Sequence, residues 1–356
     1  MINAPQIGRG DWSSYSADAS GRYAGLMTPL IDSFGRIATD LRVSLTDRCN
    51  LRCTYCMPAE GLDWLRSDTL LTTDEYIRLI GIAVTDLGVR SVRFTGGEPL
   101  IFKDLEKLVA AVATLSPRPD IAITTNGIGL DRKAAALREA GLDRINVSLD
   151  TLDTDRFTAI TRRDRLPDVL RGLEAAGSAG LAPIKINAVL TPEQYKEDAV
   201  ALLQFSLDHG YELRIIEQMP LDAGHNWNRD QMVTADEVHA ALSREFSLSA
   251  DPAPRGSAPA QRWLVNGGPA TVGIIASVSR PFCGDCDRTR LTADGQVRNC
   301  LFATTETDLR GLLRSGADDA AVAAAWQAAM WGKKPGHGIN DPSFLQPDRP
   351  MSAIGG

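Results

Sequence analysis

All six cysteines of this chain fall into two short clusters, and no other feature limits the fold as much. Cys49, Cys53 and Cys56 lie within eight residues; Cys283, Cys286 and Cys300 lie within eighteen. A chain of 356 residues that is 44% hydrophobic can bury a large core without covalent staples. Thiol triplets at such spacings therefore read as two metal sites, and a disulfide scaffold is not expected. Residues 1–6 show no basic patch followed by an apolar stretch, so no secretory signal is read and a cytoplasmic location is expected. No run approaches the ~18 apolar residues of a membrane span. The formal net charge of −7 argues against a broad nucleic-acid-binding face. An anionic small molecule remains compatible with that charge, provided local arginines hold it.

Residues 1–35 are rich in Ser, Ala, Gly and Asp without a sustained period, which predicts a disordered extension; Met27 is a candidate alternative start. From residue 36 the pattern alternates. β-branched runs at 41–46, 91–95, 121–124, 145–148, 185–190 and 212–217 predict strands. Helical patterns lie between them. One opens at Thr72 with Glu75 as a capping box. A second carries Leu105, Leu108, Val109, Val112 and Leu115, and a third spans 131–140 and stops at Gly141. Six successive strand–helix units predict an α/β fold over 36–230, an incomplete TIM-type (β/α)6 barrel, with an open doubly wound sheet as the alternative. Beyond residue 230 the pattern changes. A helix over 233–246, a loop at 251–259, hairpins turning at Asn266-Gly-Gly and Ala293-Asp-Gly, and an alanine-rich helix over 317–331 predict a smaller C-terminal α+β domain, 231–356.

Cys49-Asn-Leu-Arg-Cys53-Thr-Tyr55-Cys56 follows the first predicted strand directly. Three thiolates can hold three irons of a [4Fe–4S] cube and leave the fourth open; a Cys3His zinc site is the alternative on spacing alone. Thr95-Gly96-Gly97-Glu98-Pro99 ends the second strand. By itself this is an ordinary tight turn, although glycines also let backbone approach a ligand closely. Thr124, Asn126, Ser148, Asp150, Lys185 and Arg214, with Met219 beyond, fall at strand C-terminal ends or just past them, the rim where barrel enzymes keep their active sites. The CxxxCxxC spacing, the aromatic Tyr55 and the glycine–glycine–glutamate–proline segment resemble the radical S-adenosylmethionine superfamily. That resemblance implies an open iron that binds S-adenosylmethionine, with Tyr55, Gly97, Glu98, Ser148 and Met219 as cofactor contacts.

The second triplet reads C-x2-C-x13-C, and none of the four histidines stands at ligand spacing from it. A second [4Fe–4S] cluster and a zinc site completed by a distant histidine both remain open on spacing. Arg288 and Arg290 alternate just after Cys286, which alone suits a solvated edge strand. Together with Arg144-Ile-Asn-Val-Ser-Leu-Asp150, Thr124-Thr-Asn-Gly127, Cys300-Leu-Phe-Ala303 and the terminal Gly355-Gly356, these features resemble the GTP 3′,8-cyclase family from about residue 35 to the end. The resemblance implies two [4Fe–4S] clusters on six cysteines. It implies GTP as substrate, contacted by Arg42, Arg93, Thr124, Lys185, Arg288 and Arg290, with the guanine base on the second cluster's open iron. Gly355 and Gly356 are implied to reach into the active site and support catalysis, where a tail would ordinarily fray.

The implied reaction is reductive cleavage of S-adenosylmethionine, removal of the ribose 3′ hydrogen, attack on guanine C8, one reduction and one protonation. This is the first step of molybdenum-cofactor biosynthesis. Implied partners are an external one-electron donor of flavodoxin or ferredoxin type, a downstream cyclic pyranopterin monophosphate synthase, and a second copy of the chain in a homodimer. Two rivals stand beside this reading: a peptide-modifying radical enzyme with an auxiliary cluster, and a non-enzymatic zinc-stabilised nucleotide-binding protein.

Overall fold

The computed structural model describes residues 28–355. Twelve strands form one sheet: β1 (Asp40–Ser44), β2 (Ser91–Thr95), β3 (Asp120–Thr125), β4 (Arg144–Ser148), β5 (Ile184–Ala188), β6 (Glu212–Ile216), β7 (Leu248–Ala250), β8 (Gln261–Val265), β9 (Thr271–Ile275), β10 (Arg288–Leu291), β11 (Gln296–Arg298) and β12 (Thr307–Asp308). Eight run parallel in the order β10-β1-β2-β3-β4-β5-β6-β9, so the six predicted strands lie side by side in chain order. Antiparallel partners extend both ends, β11 and β12 beyond β10, β8 and β7 beyond β9.

Strands buried on both faces read as continuous apolar runs. These alternate instead. Leu41, Val43, Val92, Phe94, Ile121 and Ile123 are fully buried and share one core with Tyr76, Leu79, Leu105 and Leu108 of the crossover helices. The residues between them, among them Arg42, Arg93, Thr124, Asn146, Lys185 and Arg214, therefore project from the other face. The fold thus presents one polar face of a parallel sheet, and that face is where a ligand can be held.

The helices begin where the sequence says they should. Thr72 caps Thr73–Thr85 with Glu75 closing the box, and Thr234 with Glu237 does the same for Ala235–Leu242. Both predicted hairpins form, with Asn266 and Gly267 at φ 50° and 86° supplying the left-handed turn between β8 and β9. The predicted helix over 131–140 is broken into a 3-10 turn, Leu130–Arg132, and a short helix, Ala134–Glu139. Among the described residues no helix is long and apolar enough to cross a membrane.

Two expectations change. Residues 28–35 are packed rather than disordered: Leu30 is fully buried, the Thr28 N–H donates to Asp86 O (3.1 Å), and Ile31 bridges Ile37. Polar composition around Leu30 masked a single apolar anchor. The rest of the expected extension, 1–27, lies outside the described residues. Second, residues 231–356 supply β9 beside β6 and β10 beside β1, so this segment completes the barrel sheet at both ends. The 251–260 loop ties those ends together, since Arg288 donates to Ser257 O (2.6 Å) and Ser257 Oγ donates to Asp287 (2.8 Å).

Candidate active site

The first cysteine loop leaves the C-terminal end of β1. Cys49, Cys53 and Cys56 face a cavity of about 170 Å³, walled also by Tyr55, Gly97, Glu98, Thr124 and Ser148. Burial pushes the Cys49 thiol up to about 11 and Cys56 to about 12, and raises Cys53 as well; the neighbouring acidic groups and thiols add to it. A thiol that ligates a metal does so as the thiolate, its proton going to solvent. Neutral donors surround Cys49: the Leu51 N–H (3.4 Å) and the Asn126 amide (3.7 Å), which also donates to Asn50 Oδ1 (2.6 Å). The Tyr55 hydroxyl donates to Asp150 (2.7 Å), whose other oxygen accepts from the Val189 N–H (2.9 Å). Burial pushes Asp150 up to about 6.

The glycine pair clamps that loop. The Gly97 N–H donates to Thr46 O (2.7 Å) and the Glu98 N–H to Arg48 O (2.8 Å). A β-carbon at Gly97 would lie 2.6 Å from Asp47 O and 2.5 Å from Arg48 C, so only glycine allows this approach. Glu98 is a strut. Its carboxylate accepts from Thr125 Oγ1 (2.6 Å), Asn126 N (2.7 Å) and Leu100 N (2.9 Å), joining the ends of β2 and β3. Burial pushes it up to about 7 against those three donors.

Cys283, Cys286 and Cys300 meet around a second cavity with Met219, Phe282, Arg288, Arg290 and His337. No three or more His, Cys, Asp or Glu among the described residues converge tightly enough to hold one ion. In an iron–sulfur cube each thiolate takes a different iron, so its thiols stand around a space rather than a point. His337 is the histidine nearest this cavity, and both ring nitrogens are engaged: Nε2 faces Ser277 O (3.1 Å) and Nδ1 accepts from the Ile339 N–H (3.1 Å). Burial raises the Cys283 thiol. At Cys286 burial also works upward, but Lys333 and Arg288 outweigh it and lower that thiol. Arg36, from the segment before β1, pins the loop by donating to Cys283 O (2.7 Å) and Lys334 O (2.6 Å).

Arg290, Arg42 and Arg93 stand in register across β10, β1 and β2. β10 lies inside the sheet and both its arginines are buried, so the solvated-edge reading fails. Burial lowers Arg290 to about 9, and Arg42 and Arg288 push it the same way; Arg93 is lowered for the same kinds of reason. Burial also opposes ionisation of Asp40, yet Arg42, Arg93 and Arg288 prevail and hold it at about 2. A surplus of cations on a partly enclosed face suits a polyanion. Lys185 and Arg214 border a neighbouring cavity of about 570 Å³, where Lys185 pairs with Glu212 (2.6 Å).

The C-terminal helix Met351–Ile354 sits between the two thiol cavities. Met351 and Ser352 line the first, and Ile354, fully buried, packs in the apolar cluster that Met219, Cys300 and Phe302 share. Ser44 Oγ donates to Ile354 O (2.7 Å) and Arg290 donates to Gly355 O. Gly355 has φ 82° and abuts Ser44, Thr95 and Gly96. The tail is docked as far as Gly355; Gly356 lies outside the described residues. Met219 lines the second cavity, toward which the chain after β6 runs. Sequence reasoning missed Lys333, one of two adjacent lysines, and Ser352, whose backbone N–H reaches the Cys56 thiol.

Comparison with known proteins shows the family. Residues 43–206 match the family model "Radical SAM superfamily", and residues 211–339 match "Molybdenum Cofactor Synthesis C". The chain is 67% identical over 335 residues to "GTP 3′,8-cyclase" of Mycobacterium sp. (strain KMS), covering 94% of this chain and 96% of that one. It is 64% identical over 360 residues to "GTP 3′,8-cyclase" of Mycobacterium marinum (strain ATCC BAA-535 / M), covering 100% and 99%. Among solved structures, Streptococcus suis SuiB bound to S-adenosylmethionine shares the fold, with TM-score 0.56 and 16% identity over 84% of this chain and 67% of that one. At such identities along nearly its whole length, the chain belongs to the GTP 3′,8-cyclase family of radical S-adenosylmethionine enzymes.

Proposed function

We propose that this chain converts GTP to (8S)-3′,8-cyclo-7,8-dihydroguanosine 5′-triphosphate, the first step of molybdenum-cofactor biosynthesis, using two [4Fe–4S] clusters. The observation that carries the reading is the pair of three-thiol cavities with one docked tail and a row of arginines between them. Cys49, Cys53 and Cys56 would hold the first cluster, and Cys283, Cys286 and Cys300 the second; three thiols with no fourth protein ligand leave one iron of each open. When bound, the first cluster and S-adenosylmethionine supply a one-electron reductive cleavage and the carbon radical that removes the ribose 3′ hydrogen.

The chain's own residues orient and enclose. Arg42, Arg93, Arg288 and Arg290, with Lys185 and Thr124, present guanidinium forks, an ammonium and a hydroxyl to the triphosphate. Asn126 and the Leu51 N–H fix the Cys49 sulfur. The Tyr55–Asp150 bond holds the wall beside it. The buried side chains of Leu51 and Met57 and the docked tail keep water from the reacting atoms. The reading extends to an external electron donor of flavodoxin or ferredoxin type, to a downstream cyclic pyranopterin monophosphate synthase, and to a homodimer.

Anaerobic reconstitution followed by incubation with GTP, S-adenosylmethionine and a reductant tests it. The protein is expected to hold about eight irons and eight sulfides per chain and to form the cyclised nucleotide. Stoichiometric zinc without sulfide would sink the reading. Cys53→Ser is expected to abolish cleavage of S-adenosylmethionine; Cys286→Ser should retain part of that cleavage and form no product. Arg288→Ala and Arg290→Ala should each weaken GTP binding by about ten- to a hundredfold, about 1.5–3 kcal/mol, with both clusters kept. Calorimetric titration of GTP checks this, and unchanged affinity in both variants would mark these arginines as bystanders.

A further inference from the structure

A buried ammonium usually has a carboxylate beside it, because an unpaired charge out of water is costly. Lys333 is 4% exposed, and among the described residues no carboxylate lies within ion-pair distance of it. Its three donors point at one short stretch of chain: Arg288 O (2.9 Å), Cys286 O (3.2 Å) and Cys286 Sγ (3.3 Å). The Arg288 guanidinium approaches the same sulfur at 3.7 Å. At Cys49 the hydrogen-bond donors are instead neutral, a backbone amide and an asparagine amide.

We propose that Lys333 is a positioning residue for the second iron–sulfur cluster, an ammonium whose counter-charge is the Cys286 thiolate. The proposal rests on the two-cluster reading above. Lys333 holds the Cys286 loop against the start of β10, and so fixes the sulfur relative to Arg288 and Arg290. Its positive charge stabilises the reduced, more negative form of the cluster attached to that sulfur. Charge and hydrogen bonds at cluster sulfurs move reduction potentials in this direction.

The test is an anaerobic dithionite titration of the reconstituted full chain, followed by electron paramagnetic resonance, which reads each cluster's midpoint potential. Lys333→Gln keeps an amide donor for the two carbonyls and removes the charge; Lys333→Arg keeps the charge. Lys333→Gln is expected to move the second cluster's midpoint to a more negative value and to speed its loss to a chelator, with the first cluster unmoved. Lys333→Arg is expected to restore most of the midpoint. Circular dichroism melts establish that each variant is folded. Should Lys333→Gln fail to fold, Lys333→Met takes its place as the variant without charge, and its second-cluster midpoint is expected below that of Lys333→Arg; equal midpoints in the two overturn the proposal. A midpoint unchanged in folded Lys333→Gln overturns the proposal, as does an equal shift of both clusters. A wild-type protein holding only about four irons per chain overturns it together with the two-cluster reading, so the two failures are told apart.

Discussion

Gly97→Ala is expected to cost the protein its first cluster and leave the second in place. The reason is steric and local. Gly97 and Glu98 donate their N–H groups to Thr46 O and Arg48 O, stitching the end of β2 to the backbone that leads into Cys49. A methyl group at Gly97 meets Arg48 C at 2.5 Å and Asp47 O at 2.6 Å, and both are backbone atoms that cannot swing aside as a side chain would. The loop must therefore move away and carry Cys49 with it. Displacements near 1 Å in a reactive site cost about a hundredfold, so cleavage of S-adenosylmethionine should fall at least that far. The apolar face of β2 is untouched, and Val92 and Phe94 keep the variant folded. Iron should drop from about eight to about four per chain. Gly284→Ala is the matched control inside the second cysteine loop. Nothing lies within 4 Å of a β-carbon there, and its cluster content should equal the wild type. Full iron content and full cleavage in Gly97→Ala would show that the loop yields more easily than its packing implies.

That contrast marks what the sequence could and could not reveal. Strands β1 to β6 are legible because each is a short β-branched run between helical patterns. The cap at Thr72 and both hairpin turns were legible because their chemistry is carried by residues two to four apart. The cysteine triplets and the family resemblance marked the site. Long-range pairing was not legible. Nothing in 271–275 or 288–291 says that these strands will flank β6 and β1, because a strand's own pattern specifies a face and not a neighbour. The same limit hid Lys333, whose partner sulfur lies 47 residues away in the chain. It also hid where Met219 lies, since the direction of one loop decides which cavity the side chain lines. Residues 28–35 were misread because a single buried leucine leaves little trace in a polar stretch.

The tail is expected to matter to the reaction far more than to the fold. Gly355 has φ 82°, a left-handed conformation that side chains other than glycine adopt at a cost, and a β-carbon there would meet Thr95 Cγ2 at 2.5 Å and Ser44 Oγ closer still. Ile354 is fully buried beside it, so the segment is anchored one residue before the narrow stretch. Gly355→Ala should therefore push residue 355 out of its slot while Ile354 stays near its place. Removal of Gly355 and Gly356 goes further and takes away the carbonyl that Arg290 holds. Losing one hydrogen bond to a charged group costs roughly 1.5–3 kcal/mol, a modest part of the stability of a core this large. Both variants should accordingly melt within a few degrees of the wild type, keep about eight irons and bind GTP nearly as well. Formation of the cyclised nucleotide should fall by about a hundredfold in each, because the tail touches the walls of both cavities and its loss disturbs how the two halves of the reaction face one another. If the truncated protein forms product at the full rate, the docked tail is packing alone, and the ordering of the reacting groups has to come from the arginine row and the two cysteine loops.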